Sequence, residues 1–333
     1  MGKKVALVLG SGGARGYAHI GVIEELLARG YEIGCIAGCS MGAVIGGIYA
    51  AGKLEEYREW TESLDYLDVL RLLDVSFHLG AIRGEKVFGK IYEMLGDIDI
   101  SQLSIPYTAV ATDLTNQQEI WFQEGSLHKA MRASAAIPSL FTPVMQGSRM
   151  LVDGGLLNPL PIVPVVASHC DLVVAVNLNS LSQNDYQLPV IERPAVIKDK
   201  IDHLMGAIGN KLPFLRREAD DNGPEQSPLD PWVSNPRASK AAQPDETMPR
   251  SANTSSEVES VGPTSLLELV NQSFETMQTS LAQYKIAGYP PDILVNVPRR
   301  VCRFFDFHRA PELIQLGRQI AIDTLDKYEQ EQA

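Results

Sequence analysis

Three places in this 333-residue chain carry residue types and spacings that could do chemistry. The first is Gly38-Cys39-Ser40-Met41-Gly42, where an apolar run that began at Cys35 stops and restarts as a small-residue helix reaching to Gly52. Glycines flanking the serine at Gly38 and Gly42 remove Cβ clashes, so a strand can turn sharply into a helix and hold Ser40 strained and exposed, as a nucleophile requires. A helix starting at Met41 aims its unpaired N–H groups and positive dipole end at Ser40, favouring the negative charge that develops there during acyl transfer. The same pentapeptide also serves as an ordinary tight turn, so its meaning depends on partners elsewhere.

The second place is the loop from Gly10 through Ser11, Gly12, Gly13, Ala14 and Arg15 to Gly16. A phosphate P-loop would need Lys-Ser or Lys-Thr after the last glycine, and here Tyr17-Ala18 follows. A dinucleotide loop counted from Gly10 would need glycine where Arg15 stands and an acidic residue ending the next strand, which ends in Gly-Cys-Ser instead. What remains is a nest of backbone N–H groups at a helix N-terminus, an anion site that fits an oxyanion hole made by Gly12, Gly13, Ala14 and Arg15. The Arg15 side chain has two readings, a charge near the oxyanion or a structural tie to a carboxylate.

A serine nucleophile needs a base. The chain has six histidines, and the order of groups in α/β-hydrolases would admit His169, His203 or His308 after the serine. None sits in a convincing strand-end loop, and each reads more simply as a surface or packing residue. The third place is Asp153, which ends a short strand and is followed by Gly154-Gly155, leaving its carboxylate at the sheet edge that carries Ser40. An Asx-turn would use the same pattern. A carboxylate with an ordinary pKa near 4 is a poor base for a hydroxyl, so Asp153 would have to be partly desolvated to act.

The elements that must position these groups follow from periodicity. Residues 5–9 read as a buried strand, 17–29 as a helix and 32–37 as a second strand, one βαβ unit with parallel strands. That unit sets the glycine loop and Ser40 side by side at strand carboxyl ends. Further helices are expected over 54–73, 84–95, 126–136, 266–286 and 311–328, with strands near 106–112, 119–122, 150–152, 171–178 and 293–297. From about residue 216 to 263 proline, serine and acidic residues replace periodic apolar positions, the signature of a disordered insert. The expected organisation is a catalytic core at 5–180, a connecting segment at 181–215, that insert at 216–263, and a C-terminal helix and strand segment at 264–330 packing on the core.

Composition narrows the partners. A net charge of −12 argues against nucleic acid and against a general pull toward anionic membranes. The four cysteines form no C-x-x-C pair and read as reduced thiols, so no metal and no cofactor is implied. No stretch approaches the roughly 20 apolar residues of a spanning helix. The expected location is cytoplasmic, with room for peripheral contact at the inner face of the membrane, and apolar residues flanking the Ser40 edge, such as Leu140 and Phe141, are expected to touch lipid. Oligomeric state is not legible.

Taken together, Gly12-Gly13-Ala14-Arg15-Gly16 with His19-Ile20-Gly21-Val22, Gly38-Cys39-Ser40-Met41-Gly42, Ala111-Thr112-Asp113-Leu114, Arg132 to Pro138, and Val152-Asp153-Gly154-Gly155-Leu156 with Asn158 and Pro161 resemble the bacterial patatin-like phospholipases. The branch is the one similar to the catalytic domain of neuropathy target esterase, and Phe305-Asp306-Phe307 with Arg309-Ala310 looks like its C-terminal signature. The likeness covers residues 5 to about 180 and 290–325, with one departure: Ser11 stands where the family's loop usually opens with glycine. The resemblance implies an α/β three-layer sandwich with a mainly parallel central sheet, a nucleophile elbow and a C-terminal helical extension. It implies Ser40 as nucleophile, Asp153 as base of a Ser–Asp dyad without histidine, residues Gly12 to Arg15 as oxyanion hole, and phospholipid or lysophospholipid as substrate. A small-ester or thioester hydrolase on the same fold, or a regulatory binding protein acting through the insert, are the alternatives.

Overall fold

The computed structural model describes residues 2–72, 84–138, 141–181, 186–191 and 266–332. The expected insert at 216–263, most of the connecting segment, His78, His203 and Leu140 lie outside the described residues.

Strand β1 (Lys4–Leu9) alternates its side chains between two cores: Val5, Leu7 and Leu9 face one, Ala6 and Val8 the other. That period of two, with both faces apolar, is what a strand buried between helical layers requires. β1 pairs in parallel with β2 (Glu32–Cys39) on one side and β7 (Leu172–Ser180) on the other. β3 (Tyr107–Asp113) and β8 (Ile293–Pro298) extend the parallel run outward. Three antiparallel strands, β4 (Gln118–Phe122), β5 (Val144–Gln146) and β6 (Arg149–Asp153), complete an eight-stranded sheet at the β3 end.

The first face is covered by α1 (Ala18–Ala28), α2 (Met41–Ala50) and the final helix, here α8 (Ala310–Gln332). α1 and α8 meet backbone to backbone, because Gly21 lies on the Ile314 carbonyl and Gly317 on Ala18, where a Cβ would overlap main chain. The second face takes α7 (Leu266–Gly288) through Ala282 and Ile286, together with Leu160, Ile162 and Val165. Helices on both faces of a mainly parallel sheet make the three-layer α/β arrangement expected from the sequence.

Over residues 54–73 the expected single helix is two, α3 (Leu54–Ser63) and α4 (Tyr66–Leu72). Asp65 and Asp68 explain the break: Asp68 N–H donates to Asp65 Oδ1 at 2.7 Å and Asp65 N–H to Asp68 Oδ2 at 3.3 Å, a reciprocal cap that starts a new helix. α5 (Glu85–Leu95) and α6 (Leu127–Ser134) follow, the latter capped by Ser126 as its sequence predicts.

Candidate active site

The elbow forms at the end of β2. Ser40 takes φ 55° and ψ −125°, a region that residues with a Cβ rarely enter, and caps α2 by accepting at its carbonyl from Ala43 and Val44 N–H groups at 2.9 and 3.1 Å. Close approach explains the glycines on either side. A Cβ on Gly42 would overlap the Leu9 carbonyl of β1, and one on Gly38 would overlap the turn at Gly42 and Ala43. The Ser40 N–H donates to Ser134 Oγ at 2.9 Å, and that hydroxyl donates onward to Val110 O at 2.6 Å. Ser134 thus joins α6, β3 and the elbow. No single-residue signal marks it, although its motif belongs to the family pattern. Ser134→Ala should strand the buried Ser40 N–H, at a cost of about 1–3 kcal/mol, and loosen Ser40. Denaturation with an esterase assay checks this; wild-type stability and rate together would deny Ser134 the role.

Asp153 reaches the elbow by a route that local sequence does not show. β4 occupies one edge of β3 over Ala109–Asp113, so β2 and β6 must share the other edge. β2 runs parallel to β3 and ends with Cys39 opposite Val110. β6 runs antiparallel and ends with Asp153 opposite Ala111, the next position along. The two strands therefore meet head to head, and Ser40 and Asp153 emerge from the junction. The sequence reading put Asp153 at the same sheet edge without the reversal of direction that brings it there. Gly154 lies against the Val110 carbonyl and Cys39 Sγ, too close for any side chain.

Both groups are fully buried, so Ser40 is not exposed as expected but sits at the floor of a pocket. Burial pushes the Asp153 carboxyl up to about 7, against the lowering pull of the Ser40 hydroxyl and of the Gly155 N–H, which donates to Asp153 Oδ1 at 2.7 Å. Ser40 is close enough to act on that carboxyl, yet Ser40 Oγ and Asp153 Oδ2 have no hydrogen-bond partner. The local Asx-turn is also present, since Asp153 caps the short turn Gly154–Leu156 through its other oxygen. Cys39 is pushed well up by burial and by the charges of Asp153 and Glu119, which keeps its thiol protonated beside the site.

The glycine loop closes into a tight turn, Gly13–Tyr17, with Gly13 at φ +56°. Ala14 N–H donates to Phe304 O at 2.9 Å, so Ala14, expected among the oxyanion donors, is engaged in anchoring the loop. Arg15 resolves to the tie: its guanidinium donates to Glu275 Oε1 and to Arg299 O, each at 2.8 Å. His19 is buried, contacts Gly10 O through Nε2 at 2.8 Å, and is pushed down to about 4 by burial, so it stays neutral and holds the loop's first carbonyl.

The pocket at Ser40 is a cavity of about 70 Å³, walled by Tyr17, Met41, Val44, Tyr57, Trp60, Leu64, Phe88, Ile91, Ile137, Phe141 and Phe307 among others. Among the described residues no histidine lines it. His169 lines a groove beside the N-terminal ends of the strands, and His308 stacks edge-on against Tyr66. Phe141 is buried against Phe88 and lines the pocket.

A family model for patatin-like phospholipases matches residues 7–166. An uncharacterized NTE family protein of Mycobacterium tuberculosis is 39% identical over 335 residues, covering 98% of this chain and 92% of that protein. The chain belongs to the patatin-like phospholipase family, in its NTE branch. Neuropathy target esterase sws of Drosophila persimilis is 33% identical over 168 residues, covering 48% of this chain and 12% of that larger protein. VipD from Legionella pneumophila, a solved structure, superposes with a TM-score of 0.36 and 16% identity over 62% of this chain and 53% of that one, a likeness too slight to add to the assignment. As a patatin-like protein the chain is a serine hydrolase of the lipid acyl ester class. Among the described residues no helix is long and apolar enough to cross a membrane.

Proposed function

We propose that this patatin-like protein cleaves acyl esters of phospholipids or lysophospholipids with a Ser40–Asp153 dyad. The observation that carries the reading is the head-to-head meeting of β2 and β6, which leaves Ser40 Oγ and Asp153 Oδ2 buried, adjacent and unpartnered. Ser40 Oγ attacks the acyl carbonyl while the Asp153 carboxylate takes its proton. The oxyanion is met by N–H groups of the glycine loop; with the Ala14 N–H committed to Phe304 O, the donors in this reading are the N–H groups of Gly12, Gly13 and Arg15. Collapse of the tetrahedral intermediate releases the alcohol, which takes the proton back from Asp153. Water, deprotonated by Asp153, then attacks the acyl-enzyme, and as the acyl–Ser40 bond breaks Asp153 returns that proton to Ser40 Oγ and the acid leaves. An acyl chain rather than a polar group fits the aromatic and aliphatic wall above Ser40, which favours lipid over small-ester substrates.

A fluorophosphonate ester tests the reading. Treated protein should carry the phosphonyl group on Ser40, and hydrolysis of a lysophospholipid should be lost in step with labelling. Hydrolysis that survives complete labelling, or an adduct on another serine, would refute it. Residues 216–263 belong to the same proposal as a segment dispensable for chemistry, on grounds of composition alone. Replacing them by a short Gly/Ser linker should leave labelling of Ser40 intact.

A further inference from the structure

The glycine loop is gripped at both ends by one helix that lies outside the 7–166 family match. At the front of the loop, Gln278 of α7 donates through Nε2 to Ser11 Oγ at 3.0 Å, with both residues essentially fully buried. At the back, Glu275 of the same helix meets the Arg15 guanidinium at 2.8 Å. The spacing of three residues sets both side chains on one face of α7. Ser11 is further fixed by its N–H to Pro159 O and by Asn179 Nδ2 to its carbonyl, each at 2.8 Å.

Gln278 also packs on the turn that caps Asp153. Gly155, whose N–H donates to Asp153 Oδ1, is so close to Gln278 Nε2 that no Cβ could stand between them. A Cβ at that point would lie 2.8 Å from Ser11 Oγ and 3.0 Å from Asp153 Oδ1, so the amide, the hydroxyl and the carboxylate crowd one spot. Serine at position 11, the departure from the family's usual glycine, thereby gains a reason: it is the partner that α7 holds.

We infer that Gln278 and Glu275 are positioning residues, Gln278 acting through the Ser11 hydroxyl to hold the glycine loop against the Gly155 turn and Asp153, and Glu275 acting through Arg15 to fix the loop's far end. This rests on the reading of Ser40 and Asp153 given above. The Gly155 N–H stabilises the ionised carboxyl, so loosening that contact makes Asp153 harder to deprotonate.

The test uses the full chain and a soluble chromogenic ester. Gln278→Met keeps the volume and removes the donor; it should lower kcat about tenfold with KM within about twofold, and move the pH midpoint of kcat/KM upward. In a Ser11→Gly background, where the hydroxyl is already gone, Gln278→Met should change kcat by less than about twofold. Glu275→Gln should lower kcat several-fold and leave KM in place. A Gln278→Met enzyme with wild-type kcat and pH midpoint overturns the inference, as does a loss of rate that is the same with and without the Ser11 hydroxyl. If Gln278→Met does not fold, Ser11→Ala carries the test, and an unmoved pH midpoint there overturns it. Fluorophosphonate labelling of the wild type separates the two levels: no adduct on Ser40 sinks the dyad and this inference with it, whereas normal labelling with indifferent variants sinks the inference alone.

Discussion

Asp153→Asn is expected to lose ester hydrolysis by several orders of magnitude and, at pH 8, to be more stable than the wild type. The folded Asp153 carboxyl sits at about 7 where 3.8 is its ordinary value, because burial disfavours the charge. Between those values the folded chain holds a proton that the unfolded chain has released, so stability from this group falls as pH rises through the window. With the carboxylate fully ionised, a shift of that size amounts to roughly 4 kcal/mol. Asparagine keeps the shape and the bond from Gly155 N–H without the charge. The gap between variant and wild type should therefore be largest above pH 8 and close near pH 4. His19 works in the opposite sense. Its folded value near 4 lies below its ordinary 6.5, so acidification from 6.5 to 4 costs stability as the unfolded chain takes up the proton first. In the wild type these two slopes oppose each other over nearly the same range; in Asp153→Asn the His19 slope is no longer opposed by this carboxyl, and stability should fall more steeply on acidification than in the wild type. Urea denaturation at pH 5, 7 and 8.5 reads all of this. An Asp153→Asn protein no more stable than wild type at pH 8.5 would refute the account. The same carboxyl predicts that wild-type kcat/KM rises with pH through about 7 and then levels, since only the ionised form accepts the serine proton.

Ser40→Ala and Ser40→Gly should be equally inactive and differ in stability. At φ 55° and ψ −125° a side chain costs on the order of 1–3 kcal/mol, and glycine pays none of it. Alanine keeps the strain and loses only a hydroxyl that has no partner, so its melting temperature should stay near wild type. Glycine should melt higher, by a net gain of about 1 kcal/mol after the extra freedom it gives the unfolded chain. Ester hydrolysis retained by either variant would remove Ser40 from the chemistry. A glycine variant no more stable than the alanine one would show the elbow to be unstrained.

Much of the site was legible because its code is local. The elbow, the glycine loop and the βαβ unit that joins them lie within residues 5–52, where strand and helix periodicity and glycine placement act over a few residues. Asp153 was legible as a candidate, but its meeting with Ser40 depends on two strands sharing one edge of β3 from opposite directions, a matter of long-range register. Register leaves no mark in either strand alone. The three-residue strand Val144–Gln146 was missed because it is too short to show alternation. Residues 54–73 read as one helix because apolar spacing runs through Leu64, while the Asp65–Asp68 cap that divides them is a polar signal inside that pattern. Glu275 and Gln278 look like ordinary polar positions on a helix. Only the packing of α7 turns them inward.

The bonds that close the glycine loop join residues 260 and 267 positions apart, Arg15 to Glu275 and Ser11 to Gln278. β8, the outermost parallel strand, and α8, which covers α1, lie still further toward the C-terminus. On a ribosome adding about 5–20 residues per second, Ser40 leaves the exit tunnel some 10–50 s before the helix that secures the loop beside it. Through that interval the nascent chain carries the elbow without the anchors of the glycine loop. In the proposed reading, arming of the centre is thereby tied to synthesis of α7, and a product ending before Glu275 would lack both ties on the glycine loop.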